Sequence, residues 1–149
     1  MKIEFISHSA EETMALGKTI AELALPGSTF CLTGDLGAGK TTLVRGIARG
    51  LSIKSVVQSP TFNIMKIYFD GTKPLIHIDA YRLADVDTDI GLDEYIGYET
   101  GITVIEWPVF IPRLIPENSA EINIINIGEN DRKITIECND EKLLEGLKK

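Results

Sequence analysis

The chain is poor in the residues that bind metals and form disulfides. It holds two cysteines, Cys31 and Cys138, and two histidines, His8 and His77, among 149 residues. There is no C-x-x-C pair and no histidine spacing of the zinc-binding kind, which argues against a zinc site. Two isolated thiols point to reduced, buried cysteines and not to a disulfide framework. No apolar run approaches the ~20 residues that span a bilayer. The longest candidate, "ITVIEWPVFIP", is interrupted by Glu106, and the opening "MKIEFISHSAEE" turns acidic before any signal-like segment develops. A cytoplasmic protein without a membrane contact is expected. Basic residues are also scarce, 15 Lys and Arg against 22 Asp and Glu, for a net charge of −7. A chain that grips a nucleic-acid backbone on its own needs a dominant basic stripe, so direct nucleic-acid binding is disfavoured.

What remains is ordinary globular composition, 44% hydrophobic and 25% charged. That suffices for one packed core, and residues 1–149 read as a single domain. Charge is unevenly placed. Between Leu83 and Pro112 stand Asp85, Asp87, Asp89, Asp93, Glu94, Glu99 and Glu106, with no Lys or Arg. This run reads as a solvated face, or alternatively as a docking surface for a basic partner.

Hydrophobic periodicity then orders the elements. "KIEFI" is a strand. "SAEETMALGKTIAELA" is a helix, with Ser9 as its cap, Glu12 completing a capping box, and "PG" ending it. "STFCLT" is a buried strand, and "KTTLVRGIARG" a helix closed by Gly50. "SVVQSPTF" begins strand-like and breaks at Pro60. "FNIMKIYF" and "PLIHIDA" form a hairpin, "ITVIEW" a further buried strand, and "AEINIINI" with "RKITIEC" a second hairpin. "DEKLLEGLKK" is a short last helix. The expected fold is α/β, a single domain with a mixed β-sheet flanked by helices.

The chemistry starts at "GDLGAGKT", residues 34–41, which fits G-x-x-x-x-G-K-[ST] between a strand and a helix. A bound phosphate needs several backbone N–H groups converging on it, so the loop must curl without side chains in the way. Gly34, Gly37 and Gly39 allow this, and Asp35, Leu36 and Ala38 contribute main chain. The helix that follows directs its positive end at the anion. Lys40 reaches the β- and γ-phosphates, Thr41 offers a hydroxyl to Mg2+, and Thr42 continues the cradle. A nucleoside triphosphate with Mg2+ is the expected ligand, which makes the expected α/β fold a single-domain P-loop NTPase.

A magnesium site also needs a carboxylate, usually at the tip of a neighbouring strand. Asp79 ends "LIHID" and Glu106 ends "ITVIE". One of them reaches the metal, directly or through water, and the other orients the attacking water; the residues alone leave the assignment open. Trp107 is either core or an aromatic wall beside the nucleotide. Thr61, in "SPTF", belongs to a switch loop over the γ-phosphate or to a plain turn. Arg82 is a phosphate or partner contact, or an ordinary surface arginine. Neither N-K-x-D nor an Asp followed by Gly three positions on occurs, which disfavours GTP. No arginine-rich lid stands out, which weakens a small-molecule kinase.

Taken together, "GDLGAGKTTLVRG", "SPTFN", "HIDAYRL", "GLDEYI" and "VIEWP" resemble the TsaE (YjeE) family, bacterial P-loop ATPases needed to make threonylcarbamoyladenosine in tRNA. The similarity spans nearly the whole chain, and H-x-D-x-Y-R-L followed by E-W is its most particular part. The resemblance implies that Lys40 and the backbone of 34–42 hold ATP and that Thr41 and Glu106 bind Mg2+. It further implies Asp79 as the water-orienting or base residue, Thr61 in a switch loop, and Trp107 near the nucleotide. It also implies TsaD-like and TsaB-like partners, with tRNA handled by them and not by this chain. Two features depart from the pattern: "VFIPRL" after "EWP" is unusually apolar, and Leu43 stands where an aromatic is common. The alternatives are a small-molecule P-loop kinase and a non-catalytic nucleotide-binding module.

Overall fold

Alternating and continuous apolar runs in this chain need a common sheet to bury them, and seven of them form one. The computed structural model describes residues 1–35, 37–58, 60, 64–83 and 91–148. The strands are β1 (Lys2–Ser7), β2 (Thr29–Gly34), β3 (Met65–Tyr68), β4 (Leu75–Asp79), β5 (Ile102–Glu106), β6 (Ala120–Asn126) and β7 (Arg132–Glu137). Their order across the sheet is β1-β7-β6-β2-β5-β4-β3. The central four, β6, β2, β5 and β4, run parallel; β3 pairs antiparallel with β4, and β7 antiparallel with both β6 and β1. The two hairpins read from the sequence therefore close the two sides of a parallel centre. Parallel strands buried on both faces carry continuous apolar runs, and every residue of β4 and β5 is buried.

Among the described residues three α-helices share one core with the sheet: α1 (Ala10–Leu23), α2 (Lys40–Gly50) and α3 (Glu141–Leu147). Phe30, Leu32, Leu75, Val104, Ile122 and Ile134 face Ile20, Leu43, Ile47 and Leu144 there. The opposite face holds a smaller cluster, with Ile76, Ile78 and Ile105 under Leu83, Leu92 and Ile111. Among the described residues its cover comes from one-turn 3-10 segments at Tyr81–Leu83, Leu92–Glu94, Pro108–Phe110 and Pro112–Leu114. Pro108, Pro112 and Pro116, with Gly91 and Gly97 at positive φ, interrupt any longer helix here.

Local expectations hold with three corrections. Ser9 caps α1 by accepting the Glu12 N–H at 3.1 Å, but the Glu12 carboxylate takes the N–H of His8, one residue before the cap. Gly50 is the last helical residue of α2, yet the left-handed turn comes at Ser52, φ 60°. Gly50 serves packing instead, since a Cβ there would stand 2.5 Å from the Lys18 carbonyl oxygen. Residues 55–58 form no strand; Tyr68 Oη accepts the Gln58 N–H and Asp70 the Lys54 and Ser55 N–H groups, so side chains take the place of a ladder. No helix among the described residues is long and apolar enough to cross a membrane.

Candidate active site

The site lies where the parallel strands end. β2 stops at Gly34, and α2 begins at Lys40. Gly37 and Gly39 take φ of 81° and 104°, a region where a Cβ is strained against the backbone. At Gly34 the limit is contact, because a Cβ would stand 2.6 Å from the Ile124 carbonyl oxygen on β6. Within the loop the Ala38 N–H donates to the Asp35 carbonyl at 3.0 Å. From outside, Arg132 on β7 donates from Nε to the Ala38 carbonyl at 3.0 Å and from Nη1 to Asn126 Oδ1 at 2.8 Å. Thr41 and Thr42 sit half-buried in the first turn of α2.

Lys40 is withdrawn from solvent, with 6% of its surface exposed. Its Nζ lies 4.0 Å from Glu106 Oε1 and 4.3 Å from the centre of the Trp107 ring. A charge this buried needs compensation, and here a carboxylate and an aromatic face supply it. Glu106, at the tip of β5, is 3% exposed. Its second oxygen, Oε2, accepts a hydrogen bond from His77 Nε2 at 2.6 Å.

Asp79 is the register partner of Glu106 on the adjacent strand. It is buried, and its Oδ1 accepts the Tyr81 N–H at 3.0 Å. Side chains alternate along a strand, so Leu75, His77 and Asp79 share one face of β4 as Ile102, Val104 and Glu106 share one face of β5. Leu75, Ile102 and Val104 pack in the core that α2 caps, which carries both acids to the N-terminal end of that helix.

Trp107 follows at φ 57°, a left-handed turn that ends β5. Its ring meets Tyr81 edge-on at 5.1 Å and stacks near Phe110 at 6.1 Å. The structure thus brings together Lys40, Thr41, Asp79, Glu106 and Trp107 of the residues singled out from the sequence. Leu36 and Thr61 lie outside the described residues, as do Asp85, Asp87 and Asp89 of the acidic run. Arg82 sits exposed in the 3-10 turn after Asp79. Leu43 is fully buried in the core shared by the helices and the sheet. Two contributors escaped sequence reasoning. His77 was legible from alternation, two residues before Asp79. Arg132 was not, because nothing local says that β7 approaches the loop. The two cysteines are free, and burial pushes both thiols up, so neither is a ready thiolate.

The family model described as "Threonylcarbamoyl adenosine biosynthesis protein TsaE" matches residues 7–134. The chain belongs to the TsaE family. It is 46% identical over 125 residues to the tRNA threonylcarbamoyladenosine biosynthesis protein TsaE of Bacillus subtilis (strain 168), covering 84% of this chain and 78% of that protein. The TsaE of Treponema pallidum (strain Nichols) is 38% identical over 133 residues, 88% of this chain and 97% of the relative. The TsaE of Aquifex aeolicus is 41% identical over 136 residues, 89% and 94%. A crystal structure of Bacillus subtilis YdiB superposes with a TM-score of 0.85 at 37% identity, over 99% of this chain and 95% of that one. TsaE membership and this structural likeness agree on an α/β fold with a mixed, helix-flanked sheet.

Proposed function

We propose that this chain binds ATP with Mg2+ and hydrolyses it slowly, as a subunit of the cytoplasmic machinery that makes threonylcarbamoyladenosine in tRNA. It acts on a complex of TsaD-like and TsaB-like proteins, which handle the tRNA. The observation that carries this reading is the convergence of Lys40, Asp79 and Glu106 at the phosphate loop of a TsaE-family chain. The relatives named above carry tRNA threonylcarbamoyladenosine biosynthesis in their own names.

The residues fit the implied metal. Mg2+ prefers hard oxygen ligands, keeps several waters, and takes one or two protein groups beside phosphate oxygens. The Thr41 hydroxyl and the buried Glu106 carboxylate are such groups, and they would hold it. When bound, Mg2+ neutralises charge on the transferring phosphoryl group. The backbone of Gly34 to Thr42 donates amide hydrogens to the phosphates, aided by the positive end of α2. Lys40 exchanges Glu106 and the Trp107 face for phosphate oxygens. Asp79 accepts a hydrogen bond from the attacking water and fixes its direction. Trp107, braced by Tyr81 and Phe110, walls one side of the site. Turnover is slow alone because the water is fully ordered only when the partners dock.

Calorimetry and phosphate release, with and without a TsaB–TsaD pair, test this reading. Lys40→Ala should cost at least about tenfold in ATP affinity, the loss of a charge-assisted contact worth roughly 1.5 kcal/mol or more. Glu106→Gln should keep ATP affinity within about threefold and lower turnover about 100-fold, the scale of removing one preorganised electrostatic group. Undetectable ATP binding, or partners that leave turnover unchanged, would contradict the proposal. A phosphorylated acceptor in place of free phosphate would identify a kinase.

A further inference from the structure

His77 is fully buried in the middle of β4, and its ring spends one nitrogen on Glu106. Nε2 stands 2.6 Å from Glu106 Oε2, while Nδ1 has no hydrogen-bond partner among the described residues. A buried imidazole with an unpaired nitrogen is a poor choice for packing alone, since an apolar side chain of similar volume leaves nothing unsatisfied. A 2.6 Å contact with an ionised carboxylate requires a hydrogen on Nε2. Nε2 is then the donor to Glu106, and Nδ1 is the nitrogen left without a partner among the described residues.

The other partner of Glu106 is Lys40, and its contact is looser, at 4.0 Å. In the function proposed above, Lys40 leaves Glu106 for phosphate. The His77 hydrogen bond is then what remains among the contacts found for the carboxylate. We propose that His77 is a positioning residue. Its Nε2–H holds the Glu106 carboxylate by Oε2, so that Oε1 stays aimed at the mouth of the phosphate loop, ready to face a divalent cation when Lys40 moves. The inference rests on the reading of Glu106 as the metal-side acid. Hydrogen-bonded partners behind a ligating carboxylate fix its orientation, and their loss commonly costs about 10–100-fold in metal affinity.

The test is a Mn2+ titration, followed by its EPR signal, into the full chain saturated with a non-hydrolysable ATP analogue. Four proteins are compared: the natural chain, His77→Leu, His77→Gln and Glu106→Gln. His77→Leu should lose about 10–100-fold in Mn2+ affinity, with metal-free analogue affinity unchanged. His77→Gln, whose amide places an N–H near the position of Nε2, should regain most of it. Unchanged Mn2+ affinity in His77→Leu, beside a clear loss in Glu106→Gln, would overturn the role of His77 and leave that of Glu106 standing. No loss in Glu106→Gln would remove the reading of Glu106 and this inference with it. A His77→Gln as impaired as His77→Leu would show that ring shape matters and not the donor. Should His77→Leu not fold, 15N NMR of the natural chain decides: a protonated Nε2 supports the proposal and a bare Nε2 overturns it.

Discussion

At the scale of single residues, the site is a charge arrangement built on Lys40, Glu106 and His77. Lys40 and Glu106 are both nearly removed from water, and breaking a buried pair by truncating one member leaves the other uncompensated at a cost of about 3–5 kcal/mol. Glu106→Gln is therefore a cleaner probe than alanine. Trp107 makes the rearrangement visible, because it is the sole tryptophan in the chain and Lys40 lies over its ring. ATP analogue binding that draws Lys40 away should produce a saturable change in tryptophan emission, abolished in Lys40→Met; an emission insensitive to a bound analogue would contradict the exchange. A second residue-scale effect concerns pH. His8 Nδ1 lies 2.9 Å from Asp131 Oδ1, and that hydrogen bond, then the aspartate's charge, raises its pKa above the ordinary 6.5. A raised folded-state pKa stabilises the protein fully below the unfolded value and loses that stabilisation as pH rises through the folded value. The melting temperature of the natural chain should therefore exceed that of His8→Gln at pH 5.5, with the gap closing by pH 8.5. A gap that widened with pH would reverse the assignment.

At the scale of elements, the position of α2 depends on how closely α1 passes it. A Cβ at Gly46 would stand 2.1 Å from the Met14 carbonyl oxygen, and one at Gly17 2.4 Å from that of Leu43. Replacing a helical glycine by alanine in open space gains roughly 0.5–1 kcal/mol. Here the obstacle is backbone on both sides, and overpacking costs about 1–3 kcal/mol or more, so strain wins. Gly46→Ala should lower the urea midpoint by an amount worth about 1–2 kcal/mol and weaken ATP binding, because α2 carries Lys40 and Thr41 at its start. A raised midpoint would show that the two helices have room to part. These elements also mark the limit of legibility. The strands, both hairpins and α1, α2 and α3 follow from periodicity and caps, which are local. So does the placement of Asp79 and Glu106 at strand tips, because "LIHID" and "ITVIE" end in them. What escaped are contacts between segments remote in sequence: the glycine crossing of α1 and α2, Arg132 on the Ala38 carbonyl, and His77 against Glu106 across 29 positions. Each depends on which strand neighbours which, and a single segment does not encode that. The left-handed backbone at Ile64 and Trp107 is equally invisible, since isoleucine and tryptophan give no propensity reason to expect it.

At the scale of the whole molecule, charge bears on the partners. The net charge of −7 gives long-range repulsion from a nucleic-acid backbone, and a chain that neutralises few phosphates gains little from counterion release. In the function proposed above, recruitment to the tRNA-modifying machinery then comes through protein contacts. Asp93 and Glu94 are exposed on the 3-10 turn after Gly91. They belong to the acid-only stretch that follows β4 and ends in β5, the two strands that supply Asp79 and Glu106. Charge complementarity of this kind mainly accelerates encounter, and its effect is screened over about 10 Å at 0.1 M salt. Reversing both residues, Asp93→Lys with Glu94→Lys, should slow association with a TsaB–TsaD pair about tenfold at low salt and much less at high salt, with ATP affinity of the isolated chain unchanged. Stopped-flow association at 50 and 300 mM salt separates the cases. A rate equal to that of the natural chain at both concentrations would make the stretch a solvated face and place the docking surface elsewhere on the molecule.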